Sequence, residues 1–416
     1  MSALLELIIM ALSSLIAVVI NPMLWVVMIL VYVQYSRIAS LEKQLLGAVK
    51  APIFKRVFQS MIKGLLGGVF ATVLAMTLGI TIDLQDFFWI FPVAIFLMLI
   101  NVRYLCFSYS GGILSMISLA FGYPELNVPS IMAIIAILHL IESILIWFDG
   151  HMDGLPLFIS HKKYGVVGSF TMQRFWPIPF AVFFVVFGSI EGAKNLNLPE
   201  WWPLFKLHGG ILDIENAILQ ISLVVAALGY GDIAVSCTPR EKSRKSAARL
   251  LLFSVILLIL AVLSTENVYF QFAAALFAPL AHEALILYGQ REEKELEPLF
   301  RNYSQGITVM DVLQDGIGQK MGLQPSDIMI KLNSIPIHHE EDIERVLAGF
   351  PTYVWIEVQD KNGKYRTIDY QNYQKGIRSL DLVIVPRNPQ VVFEPKMNVS
   401  IIKKFLDFLR KKSKRR

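Results

Sequence analysis

The chain has 416 residues, of which 55% are hydrophobic and 17% are charged, and its formal net charge is +5. Soluble proteins carry about 25% charged residues, so this composition predicts a polytopic membrane protein and excludes an ordinary soluble one. The positive charge does not indicate nucleic-acid binding. The basic residues lie in clusters between apolar segments, where the positive-inside rule expects them.

About ten apolar segments are interpreted as membrane-spanning helices. The second is shorter than the roughly 20 residues that cross a bilayer core, so it is expected to tilt little, to thin the bilayer or to form a hairpin with the first. In chain order the segments cover residues 4–20, 23–35, 64–82, 87–102, 104–122, 130–148, 175–190, 211–230, 250–264 and 268–288.

The loops between these segments differ in charge. The loops on one side hold residues 37–63, 149–174 and 240–249, which are rich in lysine and arginine, whereas the opposite loops contain only Lys194 and Lys206 as basic residues. This asymmetry predicts that everything after the last span lies in the cytoplasm. Cys106 and Cys237 are at or near the predicted cytoplasmic faces, so a structural disulfide is not expected.

Four regions follow from this pattern. Residues 1–290 are predicted to be a polytopic transmembrane helical domain, 291–301 a charged linker, 302–370 a small α+β domain, and 371–416 a C-terminal extension. The last 16 residues alternate apolar and basic clusters. They have two open interpretations, a basic amphipathic helix on anionic lipid or a solvated, partly disordered tail.

The α+β domain is predicted from residues 305–334. Strand-like apolar positions are followed by a turn at Asp315-Gly316, a short helix ended by Gly322, and a second strand ending at Asn333-Ser334. A helix at 340–347 and a hairpin turning at 360–363 then complete the pattern.

This order resembles a bacterial PDZ domain. The family run L-x-x-G-D-x-I-x-x-I-N-G is matched at Leu323, Ser326, Asp327, Met329, Leu332, Asn333 and Ser334, with serine in place of both glycines. The resemblance implies that a partner's extended tail adds a strand to an exposed sheet edge while loop amides capture its carboxylate. By the same resemblance the peptide-binding residues are Tyr303, Gly306, Ile307, Val309, Ile343, Val346 and Leu347. The alternative is that the apolar members only fill a small core.

Catalytic patterns are incomplete. His282-Glu283 begins a zinc-protease motif, but Ile286 replaces its second histidine. His139 and Glu142 could supply a ligand pair, and Asp213 or Glu215 a further ligand, yet no three-ligand set follows. Around Ser110 the sequence departs from the glycine-x-serine-glycine pattern of intramembrane serine proteases. We therefore expect no catalytic residues, no metal and no cofactor.

Six ionisable residues lie within or near the predicted spans, where burial in lipid is costly. One interpretation is a transport or proton-relay path, and the other is hydrogen bonding between helices. The residues are His139, Glu142, Asp213, Glu215, His282 and Glu283.

The chain as a whole resembles the MinJ family of division-site topology proteins of Gram-positive rods. The resemblance rests on many spans with short loops, a predicted cytoplasmic C-terminal PDZ domain and an incomplete set of catalytic residues. This resemblance implies a non-enzymatic scaffold of the bacterial cell membrane, enriched at septum and poles. It would bridge a DivIVA-like polar marker and MinD and so restrict where the FtsZ ring forms. Its expected partners are these cytoplasmic division proteins and membrane lipids, with no nucleic acid. Two alternatives stay open: a PDZ-regulated intramembrane metalloprotease, and a transporter with a regulatory PDZ domain.

Overall fold

The structure, a computed structural model, describes residues 3–46, 49, 51–187, 199–205, 217–313, 315–387 and 392. Its first part combines helices with a long β-hairpin, and its last part is a small α+β unit. Two 3-10 helices, Leu15–Ile20 and Val102–Leu105, join the larger elements. The tail 401–416 and the predicted polar residues Asp213 and Glu215 lie outside the described residues.

Eight α-helices precede the C-terminal unit in the described part of the chain. They are α1 (Ala3–Ser14), α2 (Pro22–Leu46), α3 (Ile53–Leu78), α4 (Leu84–Ile100), α5 (Phe107–Phe121), α6 (Val128–Asp149), α7 (Pro239–Leu263) and α8 (Val268–Glu295). Of these, α2, α3, α6, α7 and α8 are long and apolar enough to cross a membrane, whereas α4, α5 and the segment 4–20 are shorter apolar helices. The prediction of about ten spans is therefore corrected to five such helices among the described residues.

Two of the predicted spanning helices are instead β-strands. Residues 175–190 fall mainly in β3 (Gly165–Phe187), and 211–230 largely in β4 (Ala217–Ala234); the two strands pair antiparallel over 18 residues of each. Pro177 and Pro179 lack the N–H that a helix interior needs. The surrounding valine, isoleucine and phenylalanine residues also favour a pleated strand.

Helix α3 covers the edge of β3 that faces away from β4. Every fourth residue of α3 contacts every second residue of β3, because four helical residues rise about 6 Å and two strand residues about 6.6 Å. The pairs are Ser60 with Phe175, Gly64 with Pro177, Gly68 with Pro179, and Thr72 with Ala181. The two prolines offer no N–H at this edge, and Thr72 Oγ1 accepts the N–H of Ala181 at 2.9 Å. The helix thus shields a strand edge that would otherwise be open to pairing.

Three shorter strands complete this sheet. The strands β1 (Thr81–Ile82) and β2 (Leu155–His161) pair with β3, parallel and antiparallel respectively. The strand β5 (Phe300–Arg301) also pairs with β3, where Gly168 lies opposite Phe300. Because α8 continues to Glu295 and β5 joins the sheet, most of the predicted linker 291–301 is regular structure.

The C-terminal unit contains a six-stranded sheet in the order β10-β9-β7-β6-β11, with β8 beside β7. Its elements are β6 (Ile307–Val312), α9 (Ile317–Met321), β7 (Ile328–Leu332), β8 (Ile335–Pro336), α10 (Glu340–Leu347), β9 (Tyr353–Gln359), β10 (Tyr365–Gln371) and β11 (Leu382–Ile384). Strand, short helix, strand, helix and hairpin occur in the order that the sequence predicts. The unit has its own apolar core, while Met310 and Val385 join the core around β3.

Candidate functional site

Residues 303–307 form the loop that the PDZ resemblance predicts to capture a partner's carboxylate, and this carboxylate loop leads directly into β6. Gly306 has φ +82°, and a Cβ there would lie 2.7 Å from the carbonyl oxygen of Met329, so only glycine fits without distortion. Ile307 and Val309 are fully buried in the core of the unit. Tyr303 is exposed at the start of the loop.

The edge of β6 opposite β7 is paired with β11 from the same chain. The paired residues include Leu382 with Val312 and Ile384 with Val309, and the N–H of Val385 donates to the carbonyl of Thr308 at 2.9 Å. The side chains of Leu382 and Ile384 pack against the core of the unit, whereas that of Val383 packs against the larger core around β3. The edge that a partner's tail would join is therefore occupied within the chain.

Arg387 extends this contact to the predicted carboxylate loop. Its Nη2 donates to the carbonyl oxygens of Tyr303, at 2.8 Å, and Gly306, at 3.4 Å, and its Nε donates to that of His338 at 2.6 Å. The loop presents carbonyl oxygens to this guanidinium. Capture of a partner's carboxylate by its N–H groups stays a prediction.

Helix α10 contributes the other predicted residues. Ile343 and Leu347 are buried in the same core as Ile307, and Val346 is partly buried against it. The start of the helix is fixed by Asp342, whose carboxylate accepts the backbone N–H groups of the two preceding histidines. These bonds favour the charged form and hold the pKa of Asp342 below its usual range.

A second group of polar residues meets between three helices. Cys106 caps the start of α5, His139 lies in α6, and His282 lies in α8. The Cys106 Sγ is 3.1 Å from His139 Nε2 and 3.8 Å from His282 Nε2. Sequence reasoning singled out both histidines but not the cysteine, because 33 and 176 positions separate it from them and no local spacing links the three.

Glu283 has a different environment. It accepts hydrogen bonds from the Tyr109 hydroxyl at 2.7 Å and from Arg103 Nη2 at 2.5 Å. Glu142 lies three residues after His139 on α6 and is partly buried. Four of the six predicted intramembrane polar residues are thus within the described structure, and both histidines belong to one cluster.

Comparison with known proteins gives one informative similarity. No protein-family model matches the chain. The chain is 22% identical over 257 residues to the cell division topological determinant MinJ of Bacillus subtilis (strain 168). The match covers 62% of this chain and 62% of that relative, so it spans less than two thirds of the relative's length. The resemblance to MinJ-like proteins drawn from the sequence is confirmed at this distant level.

Proposed function

We propose that this protein is a non-enzymatic membrane scaffold that helps to place the cell-division site. The observation that carries the proposal is the similarity to a relative described as a cell division topological determinant. Five helices long and apolar enough to cross a membrane support the anchoring part. Confinement to a membrane raises the effective concentration of docking surfaces, so weak individual contacts suffice to localise a complex.

In this proposal the C-terminal unit is a cytoplasmic PDZ domain, and its β6 edge binds the tail of a partner. The proposed partners are cytoplasmic division proteins, namely a DivIVA-like polar marker and a MinD-like protein, together with membrane lipids. The protein would be enriched at the septum and poles of the bacterial cell membrane. The domain order of strand, helix, strand, helix and hairpin supports the PDZ assignment.

Binding at this edge requires β11 to leave it. A partner strand would replace the hydrogen bonds of β11 one for one, so the exchange involves little net change in backbone bonding. The apparent affinity for the partner is then reduced by the fraction of molecules in which the edge is open. Since a hydrogen bond contributes about 1 kcal/mol, loss of one or two ladder bonds should raise partner capture roughly 5- to 30-fold.

This proposal is tested by capture of cytoplasmic division proteins on the full-length protein in detergent. Val383, which pairs with Asp311 of β6, is changed in Val383→Pro, which removes a backbone donor and weakens the β11 ladder. We expect this variant to capture more partner than the wild type. Val392→Pro, beyond the strand, is the matched control and should behave as the wild type.

A second variant tests the groove itself. Gly306→Glu forces a side chain into a left-handed backbone conformation against Met329 and brings negative charge to the loop. It should abolish the capture gained by Val383→Pro in the double variant. Equal capture by all variants, with unchanged gel-filtration profiles, would show that partners do not use this edge.

A further inference from the structure

The chain brings one sulfur and two imidazole nitrogens to a single point between α5, α6 and α8. The three ligand atoms, Cys106 Sγ, His139 Nε2 and His282 Nε2, all lie within 4.8 Å of one another. From this geometry we infer that Cys106, His139 and His282 bind a zinc-type transition-metal ion that joins the three helices. The inference is independent of the proposed scaffold function.

The orientation of His139 leaves its metal-binding nitrogen free of a proton. Its Nδ1 lies 2.7 Å from the carbonyl oxygen of Ile135. A carbonyl can only accept, so Nδ1 carries the hydrogen and the neutral ring has its lone pair on Nε2. That lone pair is directed at the Cys106 sulfur.

The orientation of His282 is fixed in the same way by a chain of donors. Arg103 pairs with Glu283, so the Glu283 carboxylate accepts the Tyr109 O–H. The Tyr109 oxygen is then left to accept from His282 Nδ1, which lies 3.3 Å away. The neutral ring therefore also directs the lone pair of Nε2 toward Cys106. Outer hydrogen bonds of this kind orient histidine ligands in metal sites.

Two nitrogen lone pairs and one sulfur thus converge on one point. A metal ion would use all three atoms as electron-pair donors at once, whereas hydrogen bonding alone needs a second proton, which the Ser108 hydroxyl can supply to His139 Nε2. Tetrahedral zinc with Zn–S of about 2.3 Å and Zn–N of about 2.0–2.1 Å places sulfur and nitrogen about 3.6 Å apart. The observed separations of 3.1 and 3.8 Å lie on either side of that value.

The surroundings fit a transition metal better than magnesium or calcium. Thiolate and imidazole ligands favour zinc and its neighbours, whereas magnesium and calcium require oxygen ligands. The Phe253 ring packs against both imidazoles, at centroid distances of 5.4 and 5.7 Å. Ser108 Oγ, 3.2 Å from His139 Nε2, is a further donor atom next to the cluster, and it or a water molecule would complete the four ligands.

The ion would act as a clamp between helices. The three ligands come from the start of α5, the middle of α6 and the second half of α8, segments that are far apart in sequence. A metal bond across them fixes their packing where the lipid supplies no hydrophobic driving force between helices.

The test uses full-length protein purified in detergent with a tag that contains no histidine, and measures metal by elemental mass spectrometry. We expect about one zinc per chain in the wild type and less than about a tenth of that in Cys106→Ser, since a site that loses one of three protein ligands loses affinity. Cys237→Ser is the matched control, because it removes the other cysteine of the chain, and it should keep its metal. Metal retained at full stoichiometry in Cys106→Ser would overturn the assigned ligands.

A second measurement needs only the wild type. After chelation and addition of Co²⁺, a thiolate-to-cobalt charge-transfer band in the near ultraviolet is expected, and its loss in Cys106→Ser identifies the sulfur. If the wild type purified from zinc-supplemented cells holds no stoichiometric metal and shows no such band, the three residues form hydrogen bonds only and the inference is wrong. This outcome would not affect the proposed scaffold function.

Discussion

Asp149, at the end of α6, is surrounded by donors from several elements. Its carboxylate accepts hydrogen bonds from Arg174 Nη2 at 2.8 Å and from Trp176 Nε1 at 2.8 Å, and it also pairs with Lys63. Asp149 and Arg174 are both buried. Two buried charges are tolerated here because each has a charged partner and hydrogen bonds in good geometry.

Removal of one partner from this pair should be costly. Arg174→Ala leaves a buried carboxylate with fewer partners and is expected to lower the free energy of unfolding by roughly 3–5 kcal/mol. Arg174→Lys should not restore the loss, because an ammonium cannot reproduce the bidentate contact. The measurement is thermal unfolding of the full-length protein in detergent.

Arg291→Ala is the control for this prediction. Arg291 pairs with Glu295 on an exposed face of α8, where an ion pair contributes about 0–1 kcal/mol. Similar losses for Arg174→Ala and Arg291→Ala would contradict the role given to burial.

The contact between α3 and β3 is the element on which the first part of the fold depends. Two glycines, Gly64 and Gly68, allow the helix backbone to approach the carbonyl oxygens of Pro177 and Pro179. A Cβ at either glycine would fall well inside van der Waals contact with a backbone oxygen. Backbone atoms of a paired strand cannot rotate away, so the helix would have to move.

Gly68→Ala is therefore expected to destabilise the fold by about 1–3 kcal/mol through overpacking. Gly67→Ala in the same helix is the matched control. Its Cβ would lie 2.8 Å from Cγ2 of Ile141, a side-chain methyl group and not a backbone oxygen, so a smaller loss is expected, and alanine also favours the helix by about 1 kcal/mol over glycine. Unfolding in detergent compares the two variants. Equal stability would show that the close approach is not required.

The same elements show how far the sequence predicts the structure. Alternating apolar residues and the turn at 360–363 predict the strands of the C-terminal unit, because these signals are local. Hydropathy alone misassigned residues 175–190 and 211–230, although the proline pair in β3 was a local signal against a helix. The pairing of β11 with β6 and the meeting of Cys106 with His282 depend on contacts between distant segments, which one sequence does not encode in any local pattern.

On the scale of the whole molecule, the C-terminal unit packs directly against the first part of the chain, in addition to being covalently connected to it. Phe300 pairs with Gly168 of β3 and packs in the larger core. A Cβ on Gly168 would lie 2.8 Å from the Met310 sulfur and 2.9 Å from the Phe300 Cβ. Residues 165–168 and the C-terminal unit are therefore in direct contact, which is compatible with the prediction from the basic residues that both lie on one side of the membrane.

Firm attachment has a consequence for the proposed scaffold. Because the C-terminal unit packs against the membrane-anchored part, a partner bound to it would stay close to the membrane. A flexible linker would let the partner sample a larger volume and would lower its effective concentration.

The most direct test is fluorescence imaging of the full-length, tagged protein in dividing rod-shaped Gram-positive cells. The account predicts a membrane signal concentrated at septa and poles, and a loss of that concentration in Gly306→Glu while the membrane signal remains. A uniform membrane distribution of the wild type throughout the division cycle would contradict the proposal that this protein is a division-site scaffold.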